Sequence, residues 1–210
     1  MANENSYTTL AGVGRAEFEE KKSVFIGSAA HAPTEADAID FVKKIRSEFS
    51  DARHNVYAYV TDGGRTARFS DDGEPKGTGG LPVLEVIKKS GCVDACVVVT
   101  RYFGGILLGT GGLTRAYTEG AKIALEAAGV VTYELYEEYT LSCSYSEYDK
   151  VVSELAKFDV IFDSTDFAEG VSVRFAVKKE FSPLLAEKMN ELFSGRAACV
   201  LTGERYDGKK

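Results

Sequence analysis

The run VDACVVVTR, residues 93–101, is apolar at five consecutive positions, Ala95 to Val99. A strand with one wet face alternates apolar and polar residues, whereas here both faces are apolar. It predicts a central strand covered on two sides. Directly after it, RYFGGILLGTGGLTRA (101–116) sets five glycines, Gly104, Gly105, Gly109, Gly111 and Gly112, between Arg101 and Arg115. Glycine loses more conformational entropy on folding than any other residue, so such a cluster implies positive φ or something approaching the main chain.

Periodicity places the neighbours of that strand. Residues 7–18 and 22–30 are β-rich and joined by a charged turn, which predicts a hairpin. Thr34 can cap a helix in which Ala38, Phe41, Val42, Ile45 and Phe49 share one face. Residues 54–61 alternate as a strand, DGGR turns, and 66–70 return beside it. A helix begins near Pro82, buries Val83, Val86 and Ile87, and ends by Gly91. Another begins near Gly111 or Gly112, with a stripe from Leu113 through Tyr117, Gly120 and Ala124 to Ala128 and a stop at Gly129. The remainder reads strand 138–145, helix 146–158, strand 159–168, strand 171–179, helix 182–194, strand 197–206. That order, β-α-β-β-α-β, is the ferredoxin-like unit. The expected architecture is α+β in two domains, residues 1–133 and 134–210, with 130–137 either a linker or a continuous strand.

Charge and composition exclude several classes. The net charge of −7 is divided between 15 basic and 17 acidic side chains up to residue 133 and 10 against 15 beyond it. A generic polyelectrolyte binder of nucleic acid needs concentrated lysine and arginine, so only a local patch in the first part is compatible with anion recognition. No run approaches the length of a membrane span, and MANENSYTTL lacks the character of a secretion signal, so a cytoplasmic protein without membrane attachment is expected. Cys92, Cys96, Cys143 and Cys199 lie in or beside apolar stretches without metal-ligand spacing, which predicts reduced, packed thiols.

Two loops carry residues suited to chemistry. In the glycine loop, a helix start offers unpaired N–H groups and the positive end of the helix dipole, which suit a phosphate or carboxylate. Arg101 and Arg115 add full charge; the alternative is a tight strand-to-helix crossover with no ligand. Neither a P-loop nor a dinucleotide fingerprint is present. In RFSDDGEPKGTGG (68–80), Asp71, Asp72 and Glu74 stand beside Arg68 and Lys76. Three carboxylates so close could hold Mg²⁺, and aspartate and glycine equally make turns and caps. No other cofactor is indicated. Arg53 and His54 open the strand at 54, where a histidine serves as base, hydrogen-bond donor or structural group. Tyr57, Tyr59, Tyr102 and Phe103 are either core residues or stacking platforms.

The segments ARHNVYAY, RFSDDGEPKGTGGLPVLEVI and VVVTRYFGGILLGTGGLTRAY, in that order, resemble the IMPACT/YigZ family over about residues 15–130. The rest is similar to the small C-terminal domain of its bacterial members. The resemblance implies a first domain with the fold shared by a ribosomal small-subunit protein, domain IV of elongation factor G and the GHMP kinases. It implies a second domain like domain V of elongation factor G. Eukaryotic members regulate translation by competing for an activator of a starvation-responsive kinase, using an extra N-terminal domain; the match here begins near Met1, so that role is not expected to carry over. No catalytic residue is transferred, since fold kinship does not carry activity. The function expected is non-catalytic binding of RNA or the ribosome, in translation or its regulation, through Arg53, His54, Arg68, Lys76, Arg101, the five loop glycines and Arg115. Binding or turnover of a phosphorylated small molecule with Mg²⁺, and docking of a protein partner in translation control, are the alternatives.

Overall fold

A computed structural model describes residues 5–193 and 198–209. Those residues divide into two compact units, residues 7–132 and residues 133–209, the latter with Asn5 and Ser6. The chain runs β1 (Ser6–Leu10), β2 (Gly14–Glu20), β3 (Ser23–His31), α1 (Glu35–Glu48), β4 (His54–Thr61), β5 (Thr66–Ser70), α2 (Gly80–Lys89), β6 (Ala95–Tyr102) and α3 (Gly109–Ala128). It continues with β7 (Val130–Cys143), α4 (Tyr145–Leu155), β8 (Ile161–Phe167), β9 (Val171–Lys178), α5 (Ser182–Phe193) and β10 (Ala198–Lys209). No helix among the described residues is long and apolar enough to cross a membrane.

In the first unit the sheet order is β2-β3-β6-β4-β5, and every neighbouring pair is antiparallel. The apolar run foreseen as a central strand is β6, third of five. Its Val97 and Val99 face a core built with Phe25, Val56, Ala58, Val83, Ile87 and the α3 stripe from Leu113 to Ala128. Its Cys96 and Val98 face the other way, onto Ala38, Val42 and Ile45 of α1. α1 starts at a capping box, in which Thr34 and Asp37 satisfy each other's backbone amides. α3 crosses the sheet where Gly27 of β3 meets Gly120: a Cβ on Gly27 would stand 2.1 Å from the Gly120 carbonyl oxygen. Only glycine permits that approach.

The β-rich stretch 7–18, expected as one arm of a hairpin, is two strands. β2 alone pairs with β3, while β1 lies beside β7 in the other sheet. Gly14 opens β2 against the end of α3, where a Cβ would meet the Ala128 amide nitrogen at 2.0 Å. In the second sheet the order β10-β7-β9-β8 realises the ferredoxin-like arrangement, with β7, β9 and β8 antiparallel. Leu141, Val173, Phe175, Leu155, Leu185, Met189 and Phe193 form its core. β7 is continuous through residues 130–137, the segment expected first as a linker and only alternatively as a continuous strand. Residue 194 of the expected last helix and residue 197 of the expected last strand lie outside the described residues.

Candidate functional site

Antiparallel register brings three side chains into one row at the end of the first sheet. Arg101 pairs with Phe25 on one side and with His54 on the other, on the face that carries Val99 and Val56. The apolar environment makes Arg101 a buried cation, 5% exposed, and a buried cation needs a partner. Glu74 supplies it: Nη1 donates to Glu74 Oε1 at 2.7 Å, and the Tyr117 hydroxyl donates to the same oxygen at 2.8 Å. Burial first, and the Glu74 carboxylate second, push the Tyr117 hydroxyl far above the usual phenol range, so it remains a donor. Arg101 also lies over Phe25 and Phe103, with ring centroids 5.5 and 5.4 Å away. Its Nε is buried without a hydrogen-bond partner among the described residues.

His54 completes the group. Its Nδ1 is 2.8 Å from the Asp72 carbonyl oxygen, which can only accept, so Nδ1 carries the proton. Its Nε2 lies 3.9 Å from Glu74 Oε1. Around this group opens a cleft of about 400 Å³, lined by Arg53, His54, Gly73, Glu74, Arg101 and Phe103, and by Leu107 to Thr110 and Leu113 at the start of α3. α3 begins with no side-chain cap and no acidic residue in its first turn. The start of α3, with its positive dipole end, thus lines the cleft without a carboxylate of its own.

α2 is the opposite case. The Asp71 carboxylate accepts from the amides of Gly77 at 2.8 Å, Gly79 at 3.0 Å and Gly80 at 2.8 Å, closing the second glycine-rich helix start with the chain's own anion. Asp72 turns elsewhere, pairing with Arg46 and accepting from the Asn55 amide at 2.7 Å. Glu74 faces Arg101. The three carboxylates, for which turn and capping roles were favoured over a shared Mg²⁺, are divided among three tasks, because successive residues of a tight turn point in different directions. Among the described residues no group of three or more acidic, histidine or cysteine side chains could hold a metal ion.

Of the other expected residues, Arg53, His54, Arg101 and Gly109 line the cleft, with Gly111 and Gly112 in the helical turn behind it. Gly104 serves packing: its Cβ would collide with the Lys22 carbonyl oxygen at 1.9 Å, and its amide donates to Ser23 Oγ. Gly105 supplies a positive φ of 85° in the loop. Arg115 is exposed on α3 and lies outside the cleft lining, as does Lys76. Arg68 reaches Glu35 at 3.7 Å on the α1 side of the sheet, because its strand partner is Tyr59, which packs there. Sequence reasoning missed Tyr117 and the role of Glu74; a tyrosine inside a buried helical stripe, whose hydroxyl must find a partner, was the available signal. Leu108 packs against the core, whereas Leu107 projects with 83% exposure.

Comparison with known proteins gives this geometry its relatives. Residues 21–125 match the Impact N-terminal domain, and residues 141–196 match a domain of unknown function, DUF1949. The IMPACT family member YvyE of Bacillus subtilis is 37% identical over 92% of this chain and 89% of its own. The IMPACT family member YigZ of Escherichia coli is 40% identical over 80% of this chain and 86% of its own. A solved structure, described as the crystal structure of an hypothetical protein, aligns with a TM-score of 0.59 and 34% identity over 96% of this chain and 99% of that one. Both domains and nearly the full length agree with the bacterial relatives, and the chain belongs to the IMPACT family.

Proposed function

We propose that the chain is a non-catalytic RNA-binding protein acting in translation or its regulation, and that the cleft at the start of α3 receives a phosphate group. The observation that carries this reading is the coincidence, in one cleft, of the α3 start, without a side-chain cap among the described residues, with Arg53 and with the buried Arg101, whose Nε–H has no partner among the described residues. Arg53 adds an exposed cation at the rim. Glu74 offsets the charge of Arg101, so the attraction rests on the helix start and Arg53. Recognition of this kind is local, consistent with a chain whose net charge is −7. The family resemblance supports the setting in translation.

Sedimentation of the purified protein with and without ribosomal particles tests it. Cosedimentation at low ionic strength, diminished at high salt and weakened about tenfold by Arg53→Ala, is the expected result. Identical migration with and without ribosomal particles, together with no binding to free ribosomal RNA, would refute the proposal.

A further inference from the structure

Two features of the cleft go beyond what phosphate recognition requires. The first is a polar wall. Glu74, its side chain 4% exposed, lines the cleft with Oε1 taken by Arg101 and Tyr117, and His54 stands beside it with Nε2 3.9 Å from that oxygen. A carboxylate only accepts, so the guest groups that suit this wall are O–H or N–H donors. The second is an apolar wall. Phe103, 42% exposed, and Leu107, 83% exposed, line the same cleft with Leu108 and Leu113. Their exposure is a hydrophobic cost that a flat apolar partner would recover. Arg101 beneath Phe103 holds the ring in place through its face.

A guest with an anionic end, hydroxyl or amine donors and a flat apolar face is a nucleotide. A cleft of about 400 Å³ lies within the range of small-ligand sites and admits one such unit. A paired duplex keeps its bases stacked inside and presents phosphates and groove edges, leaving the apolar wall unused. We infer that the cleft takes a single unstacked nucleotide. Its phosphate lies on the first amides of α3 and on Arg53, its donors face Glu74 and His54, and its base lies against Phe103 and Leu107. This rests on the RNA reading above and narrows it to unpaired strands.

The experiment compares a short labelled single-stranded RNA with the same sequence as a duplex, by fluorescence anisotropy at low ionic strength. A nucleoside monophosphate is added as competitor, and Phe103→Ala is run beside the unaltered protein. Phe103 is partly exposed, and a matching unfolding curve for the variant establishes that it remains folded. Single strands binding about tenfold more tightly than duplex, and losing about tenfold on Phe103→Ala, support the inference. Equal binding of both forms with no effect of Phe103→Ala overturns it and leaves the RNA reading standing. Binding of the monophosphate without any RNA binding keeps the nucleotide cleft and overturns the RNA reading. Absence of binding by all three probes overturns both.

Discussion

Arg101 and Glu74 form an ion pair so enclosed that each depends on the other. Arg101→Ala strands a buried carboxylate, and the expected loss is about 3–5 kcal/mol in urea unfolding. Replacing both together, Arg101→Met with Glu74→Gln, costs less than Arg101→Ala alone, because the penalty comes from the uncompensated charge. Asp71→Ala leaves three amides of the α2 start without their acceptor and costs about 1–2 kcal/mol by the same measurement. Burial raises the thiols of Cys92, Cys96 and Cys143 and pushes Cys199 up from 9.0 to about 11. An acid whose folded pKa exceeds its unfolded one holds its proton in the fold. Its stability contribution is therefore complete below about pH 9 and is lost as pH climbs toward 11; unfolding free energy measured across that window should fall. At this level the sequence showed which residues were near one another along the chain, as with Asp71, Asp72 and Glu74, but not where each pointed. Arg53, His54 and Arg101 could be grouped because strand ends and a glycine loop brought them together; that Arg101 already had a partner was invisible, since Glu74 reaches it only through the folded turn.

The strand and helix pattern was readable wherever periodicity was strong. β4 and β5 occupy the expected residues, and the double-sided run became the centre of the sheet. The failures lie where the signal is not periodic. Within residues 7–18 the glycines at 12 and 14 were the local mark of a break between two strands that the hairpin reading passed over, whereas nothing local marks the departure of β1 to another sheet. Gly120 was legible as a member of the buried stripe of its helix, but its counterpart Gly27, distant in sequence, was not. That crossing makes a directional prediction. Gly27→Ala drives a Cβ into backbone and should lower stability by about 3 kcal/mol or more, whereas at Gly120 the obstacle is Val99 Cγ1 at 2.7 Å, a side chain that can turn aside. Thermal unfolding of the two variants should rank them in that order.

For the molecule as a whole, negative net charge and a local receptor predict a shallow salt dependence. The logarithm of RNA affinity should fall with the logarithm of salt at a slope of about −1 to −2, reflecting one or two phosphates engaged rather than an extended track. Arg53→Ala should reduce the magnitude of that slope, and Arg68→Ala, on the α1 side of the sheet, should leave both slope and affinity unchanged. Mixed charge along the sequence hid this division, because Arg53 and Arg68 look equivalent until the sheet separates them. Asp71 adds a practical consequence. By seating a carboxylate on three glycine-loop amides, α2 carries a permanent facsimile of the guest that α3 awaits. Organic acids are then mimics in their own right: citrate or acetate in a buffer competes for α3, while chloride salts of bulky amines leave it available, so weak complexes emerge or vanish with the choice of buffer anion.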